Sequence, residues 1–286
     1  MPQSANVIST RLMSKLNLLC RNCFKRLPFS VYFYRILRDQ LDRFQPLLVT
    51  PWGFLLAGNK KMASGSFEPV ETSEMLKLLE EFDVFVNIGA NIGYYCCHAL
   101  HLGKSVVAFE PVARNLFYML LNIKSNGWSD LAEVYPVALG DKTSIMPIWG
   151  GGTGASLIKG WAATPFNDVS MVPVHTLDRV LGDCGKGRRY IVLMDVEGAE
   201  LAVLRGASKM LAHMPSPLWI VEISYDEHHP KSFNPNYFDT FELFFAAGYR
   251  AFELSPAREE ITLSTLSLIA QGQRKPASHN YIFQRK

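Results

Sequence analysis

What most constrains this chain is an alternation. Val84-Phe85-Val86-Asn87-Ile88 reads as a strand and Ile92 to Leu102 as a helix. Val106 to Phe109 and then Val112 to Asn126 repeat the pair, and Glu133 to Val137 adds a third strand. The beat pauses over 138–189, where Ser144 to Trp149 and Val169 to Val174 are short strand-like runs. It resumes with Tyr190 to Met194, a helix from Glu200 to Leu211, a strand Leu218 to Ile223 and a helix from about Pro235 to Ala247. Tyr249 to Glu253 and Asn280 to Phe283 supply the last two strands. Strands without a polar face must be covered on both sides, so the expected class is α/β with a doubly wound, mostly parallel sheet. Upstream, Thr72 to Phe82 is predicted helical, capped by Thr72 or Ser73, and the Pro- and Gly-punctuated stretch 46–68 is read as hairpins.

The ends and totals bound the rest. The chain has 286 residues, of which 48% are apolar, enough for one elaborated domain. Its net charge of +3 gives no field that would announce a nucleic-acid partner. Residues 1–44 hold eight Lys and Arg against Asp39 and Asp42. A basic helical arm over residues 1–45 is therefore expected, either covering the core or lying on an anionic membrane surface. No apolar run is long enough to span a bilayer. Five cysteines do not make a disulfide framework, which points to a reducing, cytoplasmic setting. Cys20 and Cys23 have C-x-x-C spacing, but no second ligand pair accompanies them, so no metal is expected. Cys96 and Cys97 read as packing residues.

The stretch Phe85 to Tyr95, FVNIGANIGYY, holds the first ligand signal. Gly89 and Gly93 flank a turn at the carboxyl end of a strand, where ligands of doubly wound sheets bind. The turn Asn87, Gly89, Ala90, Asn91, Gly93 lacks the middle glycine of a dinucleotide fingerprint and the Lys of a P-loop. Glu110 ends the next strand, before Pro111, and a carboxylate there can accept both hydroxyls of a ribose. A ribose-holding acid beside a turn with no diphosphate geometry favours S-adenosylmethionine (SAM) as cofactor.

The runs Phe85 to Tyr95, Phe109-Glu110-Pro111, His175-Thr176-Leu177-Asp178, Met194 to Leu201 and Leu204-Arg205-Gly206-Ala207, in that order, resemble the FkbM family of SAM-dependent methyltransferases. The resemblance covers roughly residues 46–253. It implies a Rossmann-like class I methyltransferase fold, a seven-stranded sheet with the last strand antiparallel, and methylation of hydroxyl oxygens, often on sugars or secondary metabolites. Residues 46–286 would form the methyltransferase domain, with 138–189 as a substrate-covering insertion. The family usually has Asp where this chain has Asn87, and Lys where it has Met194.

A hydroxyl is a poor nucleophile until its proton leaves, so a general base is expected. Asp195, Glu197 and Glu222 all follow strands at the cofactor edge, and alternation puts 195 and 197 on one side. They are the candidate catalytic residues. Asp195 and Glu222 sharing a divalent cation is the alternative. Glu200 reads as first-turn charge. His175 and Asp178 are secondary candidates. The glycine-rich stretch Gly150 to Gly154 can close over an acceptor as a lid or be a plain turn, and Trp149 and Trp161 would suit stacking on a sugar ring. His228 and His229 could line the acceptor pocket. The predicted activity is O-methylation of a small-molecule or glycan acceptor. The rival readings are N- or carboxyl-methylation, and a non-catalytic binding or scaffold protein.

Overall fold

The computed structural model describes residues 45–182 and 187–285. All of the predicted basic arm except Gln45, and with it the Cys20–Cys23 spacing, lies outside the described residues.

A short hairpin, β1 (Leu48–Val49) and β2 (Leu55–Leu56), opens the described chain and leads into α1 (Lys60–Ala63). Only one hairpin forms in the stretch read as hairpins. The next helix, α2 (Pro69–Leu79), starts earlier than predicted. Pro69 stands at its first position, where a missing N–H costs nothing. Thr72 does not cap it: its hydroxyl donates to the Phe67 carbonyl and meets the Tyr94 hydroxyl.

The central elements follow the alternation: β3 (Val84–Ile88), α3 (Tyr94–His101), β4 (Ser105–Phe109), α4 (Ala113–Ser125) and β5 (Ala132–Tyr135). A separate small sheet then forms from β6 (Ala138–Leu139), β7 (Ser144–Trp149) and β8 (Val169–His175), in the order β6-β8-β7. Its buried face is Ala138, Ile148, Val172 and Val174. After α5 (Leu177–Leu181) the main pattern returns with β9 (Tyr190–Met194), α6 (Glu200–Arg205), α7 (Ser208–Leu211), β10 (Leu218–Glu222) and α8 (Tyr237–Ala246). The helix predicted over Glu200 to Leu211 is two helices. At the break, a Cβ on Gly206 would lie 2.2 Å from the Gly140 carbonyl oxygen, so glycine is required there.

The chain closes with β11 (Arg250–Glu253), β12 (Glu260–Ile261), α9 (Leu263–Ala270) and β13 (Asn280–Gln284). The main sheet has the order β12-β11-β13-β10-β9-β3-β4-β5. Strand β13 runs antiparallel to both of its neighbours. The expected seven strands are therefore present, and the two-residue β12 adds an eighth at the edge. This is the Rossmann-like class I methyltransferase architecture.

Strand β3 sits centrally, and the order reverses there: the chain runs outward through β4 and β5, then returns to place β9 on the other side. Successive residues of β3 feed opposite cores. Val84, Val86 and Ile88 pack among the side chains of α6, α7 and α8, and Phe85 packs against α2, α3 and α4. Each such buried aliphatic or aromatic side chain contributes roughly 1.5–3 kcal/mol over exposure. Met194 lies wholly inside the first of these cores. Phe241 and Phe244 are core residues, with Phe238, Leu243 and Phe245 packed around them. Among the described residues, no helix is long and apolar enough to cross a membrane.

Candidate active site

The switch point lies between the carboxyl ends of β3 and β9, and a cavity of about 430 Å³ opens there. Its wall includes Asn87, Gly89, Ala90, Asn91, Glu110 and Pro111, together with Asp195, Glu197 and Glu222. The structure thus brings both sets of candidates onto one surface. Gly93 is the exception. It faces helix α4, where a Cβ would lie 2.8 Å from Met119 Cγ, and its φ of 80° starts α3.

The Gly89 turn is held by backbone. The N–H groups of Gly89 and Ala90 both donate to the Phe109 carbonyl at 3.0 and 2.9 Å, and Asp195 N–H donates to the Ile88 carbonyl at 3.0 Å. Protein backbone comes close to Gly89: a Cβ would sit 1.8 Å from the Asp195 carbonyl oxygen. Glycine is needed here so that the turn and the start of the acidic segment can touch.

Glu110 is buried beside this turn. Its Oε2 accepts the Asn91 N–H at 2.7 Å, and its Oε1 accepts the Val112 N–H at 2.8 Å. The carboxylate ties the turns after β3 and β4 together. Burial raises its pKa to about 7, although the Val112 and Asn91 N–H groups pull the other way. Asn87 is buried too. Its amide donates to Cys96 Sγ at 3.3 Å, while its Oδ1 has no partner.

Three further features of the cavity were not legible in the sequence. Glu68, in left-handed backbone just before Pro69, lines the wall and accepts the Tyr95 hydroxyl at 2.8 Å. Its pKa is raised by burial, the Tyr95 bond offsetting part of the effect. Glu71 and Lys61 sit on the same rim. Asn115, at the start of α4, donates to the Gly152 carbonyl at 3.1 Å, and its Oδ1 is buried without a partner. The one available signal was Pro69, which marks a helix start.

Among the described residues, the wall therefore carries six carboxylates, Glu68, Glu71, Glu110, Asp195, Glu197 and Glu222, and one cationic side chain, Lys61. Burial raises the affinity of Asp195 for a proton, and the charges of Glu222 and Glu197 raise it further. Burial and the Glu197 charge act on Glu222 in the same direction. Carboxylates gathered away from water make one another's ionisation more costly.

The glycine-rich stretch lies over the cavity. Trp149 and Ser156 exchange backbone hydrogen bonds at 2.9 and 3.0 Å, which closes the loop between them. Gly152, Thr153, Gly154 and Ala155 line the wall. Trp161 does not offer a stacking face, because its ring is fully buried, and its indole N–H donates to Glu197 Oε2. His228 and His229 pack around that indole, with ring centres 6.2 and 5.9 Å away.

The secondary candidates have other tasks. Asp178 accepts from Ser208 Oγ and from the Lys209 and Met210 N–H groups, capping α7. His175 Nδ1 lies 3.2 Å from Thr143 Oγ1. Neither residue lines the cavity. Glu200 stands in the first turn of α6 as expected and accepts the Gly198 N–H at 2.8 Å, but its carboxyl is buried, which raises its proton affinity.

A sequence model of the methyltransferase FkbM domain matches residues 87–251. Among solved structures, the chain is similar to a methyltransferase FkbM from Methylobacillus flagellatus KT, at 18% identity and a TM-score of 0.43, over 71% of this chain and 44% of that one. It thus spans less than half the length of that protein. It is also similar to a precorrin-6y C5,15-methyltransferase from Geobacter metallireducens GS-15, at 14% identity and a TM-score of 0.41, over 68% of this chain and 78% of that one. A ribosomal protein L11 methylase from Lactobacillus delbrueckii subsp. bulgaricus matches at 13% identity and a TM-score of 0.40, over 80% of each chain. No curated protein matches the sequence. The family match spans more than half of the chain and both groups of cavity residues: the protein belongs to the FkbM methyltransferase family.

Proposed function

We propose that the protein is a SAM-dependent O-methyltransferase acting on a hydroxyl of a sugar, glycan or secondary metabolite. The observation that carries this reading is Glu110, a buried carboxylate at the end of β4, on the wall of the cavity that opens beside the Gly89 turn. The residues present fit SAM. Glu110 offers lone pairs to ribose hydroxyls, and the unpartnered Asn87 Oδ1 can accept an N–H from the amino-acid part.

When bound, SAM supplies an activated methyl group. The chain's own task is to orient the acceptor, exclude water and receive the hydroxyl proton. Glu197 is the proposed proton acceptor, with Asp195 and Glu222 behind it as a pair that shares and stores protons. Positioned bases of this kind are worth about 10²–10⁴ in rate. The glycine loop and the small sheet would cover the acceptor. An acidic wall disfavours phosphorylated or carboxylated acceptors and admits neutral or cationic ones.

Calorimetry with SAM and S-adenosylhomocysteine tests the reading. Both should bind. If neither binds at hundreds of micromolar, the cofactor assignment fails. A screen of glycans with a labelled methyl donor would then identify the acceptor. The proposed membrane contact of residues 1–44 is tested by liposome sedimentation of the full chain against a truncated one.

A further inference from the structure

Glu197 is clamped by the insertion from two sides. The Ser156 hydroxyl donates to the Glu197 carbonyl at 2.6 Å and itself accepts the Ile158 N–H at 2.9 Å. The Trp161 indole N–H donates to the Glu197 carboxylate. Both Ser156 and Trp161 are about 1% exposed.

The backbone has been shaped to permit this. Glu197 has a φ of 55°, in the left-handed region that side chains rarely adopt. Next to it, a Cβ on Gly198 would lie 2.5 Å from Trp161 Cζ3 and 2.7 Å from Ile158 Cδ1. Gly198 is thus the floor of the indole's seat. The third wall comes from the loop after β10: Ala162 N–H donates to the His228 carbonyl at 2.7 Å, and a Cβ on Gly160 would lie 3.4 Å from Pro230 Cβ.

The indole bond occupies Oε2 and leaves Oε1. Oε1 is the oxygen nearest the glycine loop: a Cβ on Gly154 would lie 3.8 Å from it, and Gly154 lines the cavity. The carboxylate therefore has one end bonded to protein and the other beside the glycine loop that lines the cavity.

We propose that Trp161 is a positioning residue for Glu197, through which the insertion fixes the direction of this carboxylate and joins the acceptor cover to the acid. The proposal rests on the reading of Glu197 as proton acceptor. It does not require Trp161 to touch substrate. A buried indole could instead use Glu197 only to satisfy its own N–H. Both readings lose the same bond when the N–H is removed and the ring volume is largely kept; they differ in turnover, which falls only if the bond positions Glu197.

The test uses the full chain with carbon-13-labelled glutamate side chains and nitrogen-15-labelled indoles. Glu197→Gln assigns the Glu197 carboxyl signal by its loss and should move the Trp161 indole N–H signal. The charged groups that also face Glu197 are Asp195, Glu200 and Glu222, so spectra are compared at one pH. Trp161→Phe should shift the Glu197 carboxyl signal and leave the Glu110 signal in place. Ser156→Ala removes the clamp on the Glu197 carbonyl but keeps the indole bond to the carboxylate, so it should move the Glu197 carboxyl signal less than Trp161→Phe does. With any acceptor that the glycan screen yields, Trp161→Phe should lower kcat by up to about 100-fold, with KM within about twofold of wild type. An unmoved Glu197 signal in Trp161→Phe, a Trp161 indole signal indifferent to Glu197→Gln, or a kcat in Trp161→Phe equal to wild type overturns the proposal. Calorimetry with SAM on the wild-type chain stands apart from these signals: absence of binding sinks the functional reading while the spectra still decide whether the clamp exists.

Discussion

The carbonyl oxygen of Asp195 lies where a side chain on Gly89 would have to go, 1.8 Å from the position of its Cβ. The Gly89 turn and the acidic segment that begins at Asp195 are therefore in backbone contact, and their spacing depends on one missing carbon atom. Gly89→Ala adds an overlap with main chain to an unfavourable φ of 85°. It should destabilise the fold by about 2–6 kcal/mol. Gly93→Ala meets the more yielding Met119 side chain and should cost less. Urea unfolding of both variants checks the order, and a wild-type midpoint for Gly89→Ala would contradict this account.

Glu110 and Glu197 face the same cavity but should fail differently. Glu110→Ala removes an acceptor that serves Asn91 and Val112 and, in the proposed complex, the ribose. SAM affinity should fall about 10–100-fold, while turnover of the saturated enzyme stays within about threefold. Glu197→Gln should leave SAM affinity within about twofold and cut turnover by about 10²–10⁴-fold. Calorimetry and initial rates separate the two, and equal effects on both quantities in either variant would refute the assigned roles.

Glu200 predicts a pH effect on stability that needs no substrate. Burial raises its pKa from the usual 4.5 to about 7. A carboxyl that holds its proton more tightly when folded favours the native state below pH 4.5. That contribution is lost as the pH rises through 7. Glu200→Gln keeps an oxygen for the Gly198 N–H and removes the titration. Its stability relative to wild type should therefore rise by on the order of 3 kcal/mol between pH 4.5 and 8. His98, whose pKa burial lowers to about 4, acts oppositely on the acid side, so each comparison is made at one pH. Denaturant titrations at several pH values give the curve. A difference independent of pH would mean that Glu200 is not held as described.

The strands that build the cavity floor could be read directly because Val84–Ile88 and Tyr190–Met194 lack a polar face, which admits few alternatives to a doubly covered sheet. Glu110 could be placed because it follows such a strand immediately. What could not be read depends on contacts between distant segments. Trp161 beside a glycine-rich stretch looks like a stacking platform, and only the seat made by Gly198 shows that it faces inward. Asp178 follows a strand as catalytic acids do, yet the N–H groups it caps belong to α7, a separate helix that the sequence pattern had merged with α6. Glu68 escaped notice since nothing in its residue type signals the left-handed backbone it adopts or its bond from the distant Tyr95 hydroxyl.

Asn87 gives the most discriminating prediction, since family members usually carry Asp there. In this chain its Oδ1 is buried without a partner while its amide donates to Cys96. Asn87→Asp places a charge in a dry pocket that already holds Glu110, so the free protein should melt at a lower temperature. If the pocket receives the cationic end of SAM, that charge gains a partner only in the complex. Affinity should then rise by about 5–30-fold, equivalent to roughly 1–2 kcal/mol. Thermal melts with and without ligand would show a lower starting point and a larger ligand-induced shift. S-adenosylhomocysteine adds resolution, because it keeps the ammonium group and lacks the sulfonium charge. A gain shared by both ligands places Asn87 beside the ammonium, and a gain confined to SAM places it beside the sulfonium. Weaker or unchanged binding of SAM would show that the Asn87 amide serves Cys96 and the strand rather than a cation.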